Sequence, residues 1–174
     1  MTAKEFLKAV ANGESDVVEI ILKLLRDTRT PYCLVGGFAV NAYVEPVVSL
    51  DLDIVAAADK LDLVCQEAAA HGFKIERFPH SVNLTSSKSD LRIQLQTDDR
   101  YQRFIPQATS RSVLGYRMRV ACLDDVLTGK LWAYADPARR KSKKQKDLSD
   151  IARIIEACPA LASTLPDPVR KLLE

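Results

Sequence analysis

Two aspartates, Asp51 and Asp53, stand two positions apart in the apolar stretch SLDLDIVAA, and a di-glycine, Gly36-Gly37, closes the apolar run YCLV upstream of them. In an extended chain, residues i and i+2 point to one face, with Cα atoms roughly 6.5 Å apart. Two carboxylates that close raise one another's pKa and destabilise the strand unless a cation lies between them. Mg²⁺ takes such carboxylates together with nucleotide phosphates as ligands. The glycines admit a companion chemistry, because a turn without Cβ atoms at the start of a helix lets backbone N–H groups approach a phosphate. Each feature alone also has a plain reading: an acidic edge strand in water for the first, a tight turn for the second.

The elements that must position these groups follow from periodicity and punctuation. Residues 2 to 11 and 15 to 28 read as packing helices; in the second, Val17, Ile20, Ile21, Leu24 and Leu25 form one stripe behind a Ser15 or Asp16 cap. YCLVGG reads as a short buried strand, FAVNAYV as a short helix, and SLDLDIVAA as a strand in which Leu50, Leu52 and Ile54 alternate with the aspartates. Asp59 is expected to cap a helix over KLDLVCQEAAAHG, ended by Gly72 at C′. FKIERFPHSVNLTSS and DLRIQLQTD are expected as strands around a turn at Ser86 to Ser89, RYQRFIPQA as helical up to Pro106, and SVLGYRMRVAC as extended. LDDVLTGKLWAYAD reads as a helix capped by Asp124. The basic segment PARRKSKKQK, with Ser142 and Gln145 in capping-box spacing, leads into a helix over DLSDIARIIEAC, and Pro166 and Pro168 close the tail.

The combination of strand, Gly-Gly, short helix and Asp-x-Asp, with thirteen residues between Gly37 and Asp51, resembles the signature of the nucleotidyltransferase superfamily. Within that superfamily the chain is most similar to the small bacterial enzymes related to the abortive-infection toxins. The resemblance spans about residues 30 to 158, because LDDVLTGKLWAYADPARRKSKKQKDLSDIARII is similar to that family's C-terminal helices, with Lys130 in a "KL.A" helix and Lys146, Asp147 and Asp150 in a "KD..D" helix. It implies an α/β (α+β) fold: a short mixed sheet with flanking helices, plus C-terminal helices. The units would be N-terminal packing helices at 1–29, a core at 30–120 and a helical part at 121–174, in one compact body.

The resemblance further implies Mg²⁺ (or Mn²⁺) on Asp51 and Asp53, and an NTP held by Gly36, Gly37, Ser49 and Lys146. Lys130 would sit near the leaving pyrophosphate. The acceptor would be an RNA end such as tRNA, a protein or a small molecule, and a cognate antitoxin is an implied partner. Alternation along DLRIQLQTD sets Leu91, Ile93 and Leu95 against Asp90, Arg92, Gln94 and Gln96, and Gln94 falls where the family carries a third carboxylate. Glutamine is a neutral ligand and no base. A binding module that retains the fold without catalysis is the alternative, acting through a partner protein or RNA.

Composition sets the outer bounds. A formal net charge of +2 names no partner; 47 % hydrophobic and 28 % charged residues describe a folded soluble chain rather than a disordered or fibrous one. The N-terminus lacks the apolar h-region of a leader, and no stretch approaches the roughly 18 apolar residues of a membrane span, so a cytoplasmic protein without membrane contact is expected. Cys33, Cys65, Cys122 and Cys158 are far apart and read as reduced thiols; His71 and His80 form no triad. The cluster of Arg139, Arg140, Lys141, Lys143, Lys144 and Lys146 reads either as a solvated loop or as a contact for triphosphate or tRNA.

Overall fold

The computed structural model describes all residues, Met1 to Glu174. Its centre is a seven-stranded mixed sheet in the order β3-β4-β5-β2-β1-β7-β6, formed by β1 (Tyr32–Val35), β2 (Asp51–Ala56), β3 (Lys74–Phe78), β4 (Ser81–Ser86), β5 (Ser89–Gln96), β6 (Thr109–Val113) and β7 (Tyr116–Val120). β2 runs antiparallel to β1 and parallel to β5, and β1 runs parallel to β7. The remaining pairings, β3 with β4, β4 with β5 and β6 with β7, are antiparallel. β2 lies in the middle of the sheet, which overturns the edge-strand reading of its aspartates.

Helices α1 (Ala3–Val10), α2 (Val17–Asp27), α3 (Gly36–Val40), α4 (Leu61–Ala70), α5 (Leu123–Ala135), α6 (Lys141–Ala157) and α7 (Asp167–Leu173) complete the chain. The expected alternation holds: Leu52 and Ile54 of β2 and Leu91, Ile93 and Leu95 of β5 are buried, in one core with Ile21 and Leu25 of α2 and Val64 and Ala68 of α4. Sequestering each such aliphatic side chain contributes about 1.5–3 kcal/mol, so the β2 and β5 register is enforced from the apolar face while the polar face stays free for chemistry. α5 and α6 pack on each other and on α3, and the fully buried Ile151 and Ile154 of α6 join the same core.

Several local expectations are corrected. FKIERFPHSVNLTSS forms two strands, broken at Pro79-His80 where proline offers no ladder N–H. SVLGYRMRVAC belongs to a β6–β7 hairpin that turns at Leu114 (φ 48°) and Gly115 (φ 85°), the pair of positive φ values that suits the right-handed twist of a tight hairpin. RYQRFIPQA is a 3₁₀ turn over residues 99–104. Asp59 lies in another 3₁₀ turn and caps nothing; the N-cap of α4 is Lys60 and that of α5 is Cys122, neither with a side-chain bond, which puts Asp124 inside the first turn of α5. Asp16 does cap α2, accepting from Glu19 N–H, and Gly72 (φ 87°) follows α4. The basic segment is helical only from Lys141, where α6 starts after Arg140, so Ser142 and Gln145 form no capping box, and Pro168 lies in the first turn of α7 rather than ending the fold.

Candidate active site

The polar face of β2 and β5 is the floor of a cleft of about 370 Å³ lined by 17 residues, among them Gly36, Asp51, Asp53, Arg92, Gln94, Tyr101, Lys130, Arg139, Arg140 and Lys143. The parallel register sets Asp51 beside Arg92 and Asp53 beside Gln94. Residues two apart on β2 therefore face partners two apart on β5, and this pairing assembles the floor. On the other side, Val35 at the end of β1 pairs with Asp53, and the chain turns there into α3 through Gly36 at φ 71°. A Cβ at Gly36 would overlap the Asp53 carboxylate. The backbone conformation and the close approach thus both require glycine.

The two aspartates differ in their surroundings. Asp51 Oδ1 accepts from Arg92 Nε at 2.9 Å and Nη2 at 2.6 Å, and Oδ2 accepts from Lys143 Nζ at 2.9 Å. Burial pushes the Asp51 carboxyl up, but the bonds from Lys143 and Arg92 outweigh it and hold the group below the ordinary carboxylate range. Asp53 receives no hydrogen bond from the protein. Its pKa is raised, chiefly by burial and then by the neighbouring Asp51 charge, against a lowering pull from the ammonium of Lys130. Gln94 likewise has no side-chain partner, whereas Gln96 is locked, its Oε1 accepting from the N–H groups of Thr97 and Asp98.

Lys130 lies in the cleft wall but is almost wholly buried, with Nζ 3.0 Å from Asp147 Oδ1 and 2.8 Å from Asp150 Oδ2. Burial lowers its pKa, and the charges and bonds of Asp150 and Asp147 more than reverse this, so the ammonium stays protonated. Arg139 closes on Asp147 with a two-pronged contact, Nε at 2.7 Å and Nη2 at 3.0 Å. Arg153 donates to Asp150, to Asn41 and to the Glu45 carbonyl. Asp147 and Asp150 of the expected "KD..D" helix therefore form, with Lys130, Arg139 and Arg153, a lattice that fastens α5, α6 and the segment after α3 together. The cations left to face the cleft are Arg92, Arg140 and Lys143.

Of the residues singled out in the sequence, Gly36, Asp51, Asp53, Gln94 and Lys130 meet in the cleft. Gly37, Ser49 and Lys146 do not line it. Gly37 faces Asp150 and Ser49, and Lys146 Nζ lies 3.3 Å from Ser49 Oγ, which also accepts weakly from Asp51 N–H. These three tie the start of β2 to α6 just outside the cleft. Alternation places Arg92 on the face of Gln94 but assigns it no role there; Lys143 belongs to the basic cluster, and nothing in its position along the chain marks it as the one that reaches Asp51.

The remaining expectations find their places. Tyr101, which lines the cleft, packs edge-on to Phe104 and Trp132 at ring separations of 5.3 and 5.1 Å. His71 ends α4 with Nδ1 2.8 Å from the Glu67 carbonyl. The four thiols are free, Cys33 and Cys65 are buried, and burial pushes Cys33 up to about 12. No helix is long and apolar enough to cross a membrane.

The architecture matches solved nucleotidyltransferase structures. The chain is similar to ANT(2'')-Ia in complex with adenylyl-2''-tobramycin, with a TM-score of 0.58 and 15 % identity over 90 % of this chain and 94 % of that one. It is similar to the lincosamide antibiotic adenylyltransferase LnuA bound to lincomycin, at 0.56 and 16 % over 79 % and 95 %. An antigenic nucleotidyltransferase-like protein from Paracoccidioides brasiliensis matches at 0.52 and 19 % over 98 % and 94 %. No protein-family model and no curated protein matches the chain. At these identities the likeness is one of fold: a mixed sheet with flanking helices, as in the nucleotidyltransferases.

Proposed function

We propose that the protein moves a nucleoside monophosphate from an NTP to an acceptor, with Mg²⁺ or Mn²⁺ as cofactor. The observation that carries this reading is the register that sets Asp53 beside Gln94 and over Gly36, on the floor of a cleft whose far wall is Arg139, Arg140 and Lys143. The donor set fits one divalent cation: Asp53 has no protein donor, Asp51 shares its face, and the Gln94 amide offers a neutral oxygen. A divalent ion held there supplies charge neutralisation to the triphosphate.

The chain's own residues do the rest. Gly36 makes room for the Asp53 carboxylate, and Arg92, Arg140 and Lys143 supply positive charge where negative charge develops on the leaving pyrophosphate. Lys130 acts from behind, holding Asp147 and Asp150 in place and favouring ionised Asp53 through its charge. Ser49, Gly37 and Lys146 keep α6 seated against the start of β2. Gln94 accepts no proton, so it cannot serve as the base at that position, and Gln94→Glu is expected to accelerate label transfer from NTP. The acceptor classes that suit this reading are an RNA end such as tRNA, a protein side chain and a small hydroxyl compound. Exposed Arg140 and Lys141 at the mouth favour RNA. The sequence likeness around Lys130 and the "KD..D" helix supports a toxin of the abortive-infection type, paired with an antitoxin.

One observation favours a second reading. With Asp51 bound on both oxygens and Gln94 neutral, the fold could hold a nucleotide without transferring it and act through a partner protein or RNA. The test is incubation with each labelled NTP, Mg²⁺ or Mn²⁺, and total RNA or protein, beside an Asp51→Ala/Asp53→Ala variant. Label transfer lost in the variant supports the enzyme, nucleotide binding without transfer supports the second reading, and neither binding nor transfer overturns both.

A further inference from the structure

Of the two aspartates on the cleft floor Asp51 is the less buried, yet two basic side chains already cover it. Arg92 holds Oδ1 through Nε and Nη2, and Lys143 holds Oδ2 at 2.9 Å. The three side chains retain 39 %, 27 % and 21 % of their exposure for Arg92, Lys143 and Asp51, so the cluster is open to the cleft and can rearrange. This contrasts with Lys130, whose carboxylate partners are sealed. Arg92 on the floor and Lys143 on the wall also line the cleft that would meet a triphosphate. The same two cations therefore face two competing anions, a single carboxylate and a multiply charged phosphate chain. Phosphate oxygens win such a competition, since guanidinium and ammonium bind them in strong charge-assisted bonds and the charge offered is several-fold larger.

We propose that Lys143 and Arg92 guard Asp51 and are exchanged onto the triphosphate. Without nucleotide they occupy both Asp51 oxygens and keep a divalent cation off that residue; nucleotide draws them away, and Asp51 then joins Asp53 as a ligand. The proposal rests on the transferase reading above and adds an order of events: triphosphate first, full metal coordination second. Because the two equilibria are linked, the guard lowers metal affinity in the empty cleft by the same factor by which nucleotide raises it through this route.

The test is Mn²⁺ binding followed by electron paramagnetic resonance without nucleotide, and inorganic tripolyphosphate binding followed by calorimetry in EDTA. Both are measured on the wild type, Lys143→Met and Arg140→Gln, with circular dichroism confirming that each folds. Arg140 lines the same cleft without touching Asp51, so it reports the general loss of positive charge. Lys143→Met is expected to bind Mn²⁺ about fivefold or more tightly, the low end of ordinary coupling, and to bind tripolyphosphate more weakly. Arg140→Gln is expected to weaken tripolyphosphate with little gain for Mn²⁺. Unchanged Mn²⁺ affinity in Lys143→Met, or an equal gain in Arg140→Gln, overturns the guard while leaving the transferase reading intact. A wild type that binds neither probe overturns both.

Discussion

Two clusters in this protein pair aspartates with basic side chains, and they differ in burial more than in chemistry. Around Asp51, the cations from β5 and α6 meet at the surface of the cleft, with side chains 21–39 % exposed. Around Asp147 and Asp150, the Lys130 ammonium and both carboxylates are at most 7 % exposed. Water can replace any partner lost from the first cluster, so each bond there contributes little to stability and is free to exchange. In the second, the surroundings supply no substitute, and loss of one partner leaves a bare charge in a medium that cannot solvate it. The open cluster is suited to function and the sealed one to scaffolding, although the ion pairs themselves are alike.

Substitutions that break this contrast should rank by burial. The largest effect is expected for Asp147→Ala, which leaves buried Lys130 with Asp150 as its one carboxylate and Arg139 with none, and should cost about 3 kcal/mol, read from urea or thermal unfolding. If it unfolds as the wild type does, the lattice is not the clamp described. Gly36→Ala comes next: a positive φ and overlap with Asp53 should cost about 1–3 kcal/mol and weaken nucleotide binding together with stability.

Asp53→Asn should move the other way. Burial penalises its charge and no protein donor offsets it, so removing the charge should stabilise the empty protein by about 0.5–2 kcal/mol while abolishing transfer. The smallest effect is expected for Asp51→Asn, below about 1 kcal/mol because its partners are half-exposed. A pH titration of stability sharpens the pair. Asp51, with its pKa lowered, adds stability above the ordinary carboxylate value of about 3.9 and loses it as pH falls through its lower folded value. Asp53, with its pKa raised, is neutral in effect at low pH and destabilises as pH rises through the ordinary value toward its higher folded one. Wild type minus Asp51→Asn and wild type minus Asp53→Asn should therefore diverge with opposite sign between acid and neutral pH.

The floor of the cleft was largely readable along the chain because strands have a period of two. Asp51 with Asp53, and Gln94 with Arg92, share faces by alternation alone, and the run of Leu91, Ile93 and Leu95 says which face is inward. The same local logic marked Gly36, where an apolar run stops. It misjudged the places where a turn is short. Pro79-His80 and Leu114-Gly115 fold each of two apparent strands back on itself, and only the pairing of the halves makes those breaks visible. The cap at Asp124 was misassigned because an acidic residue near a helix start serves the first turn as well as the cap, and that at Asp59 because a 3₁₀ turn intervenes before α4.

What the sequence determined by itself is therefore the inventory and its local order: a glycine turn, two carboxylates on one strand face, a neutral amide on the polar face of a second strand, and an apolar stripe behind each. Tertiary structure alone decided that β2 is central rather than an edge, that Gln94 stands beside Asp53, and that Lys143, 92 residues from Asp51 in the chain, is the cation that reaches it. It also decided that Lys130 looks inward to Asp147 and Asp150 rather than outward to substrate. The physical reason is one of range. Alternation and turn chemistry act between near neighbours along the chain, whereas burial and charge pairing depend on which distant segments the apolar core draws together, and no local pattern encodes that distance.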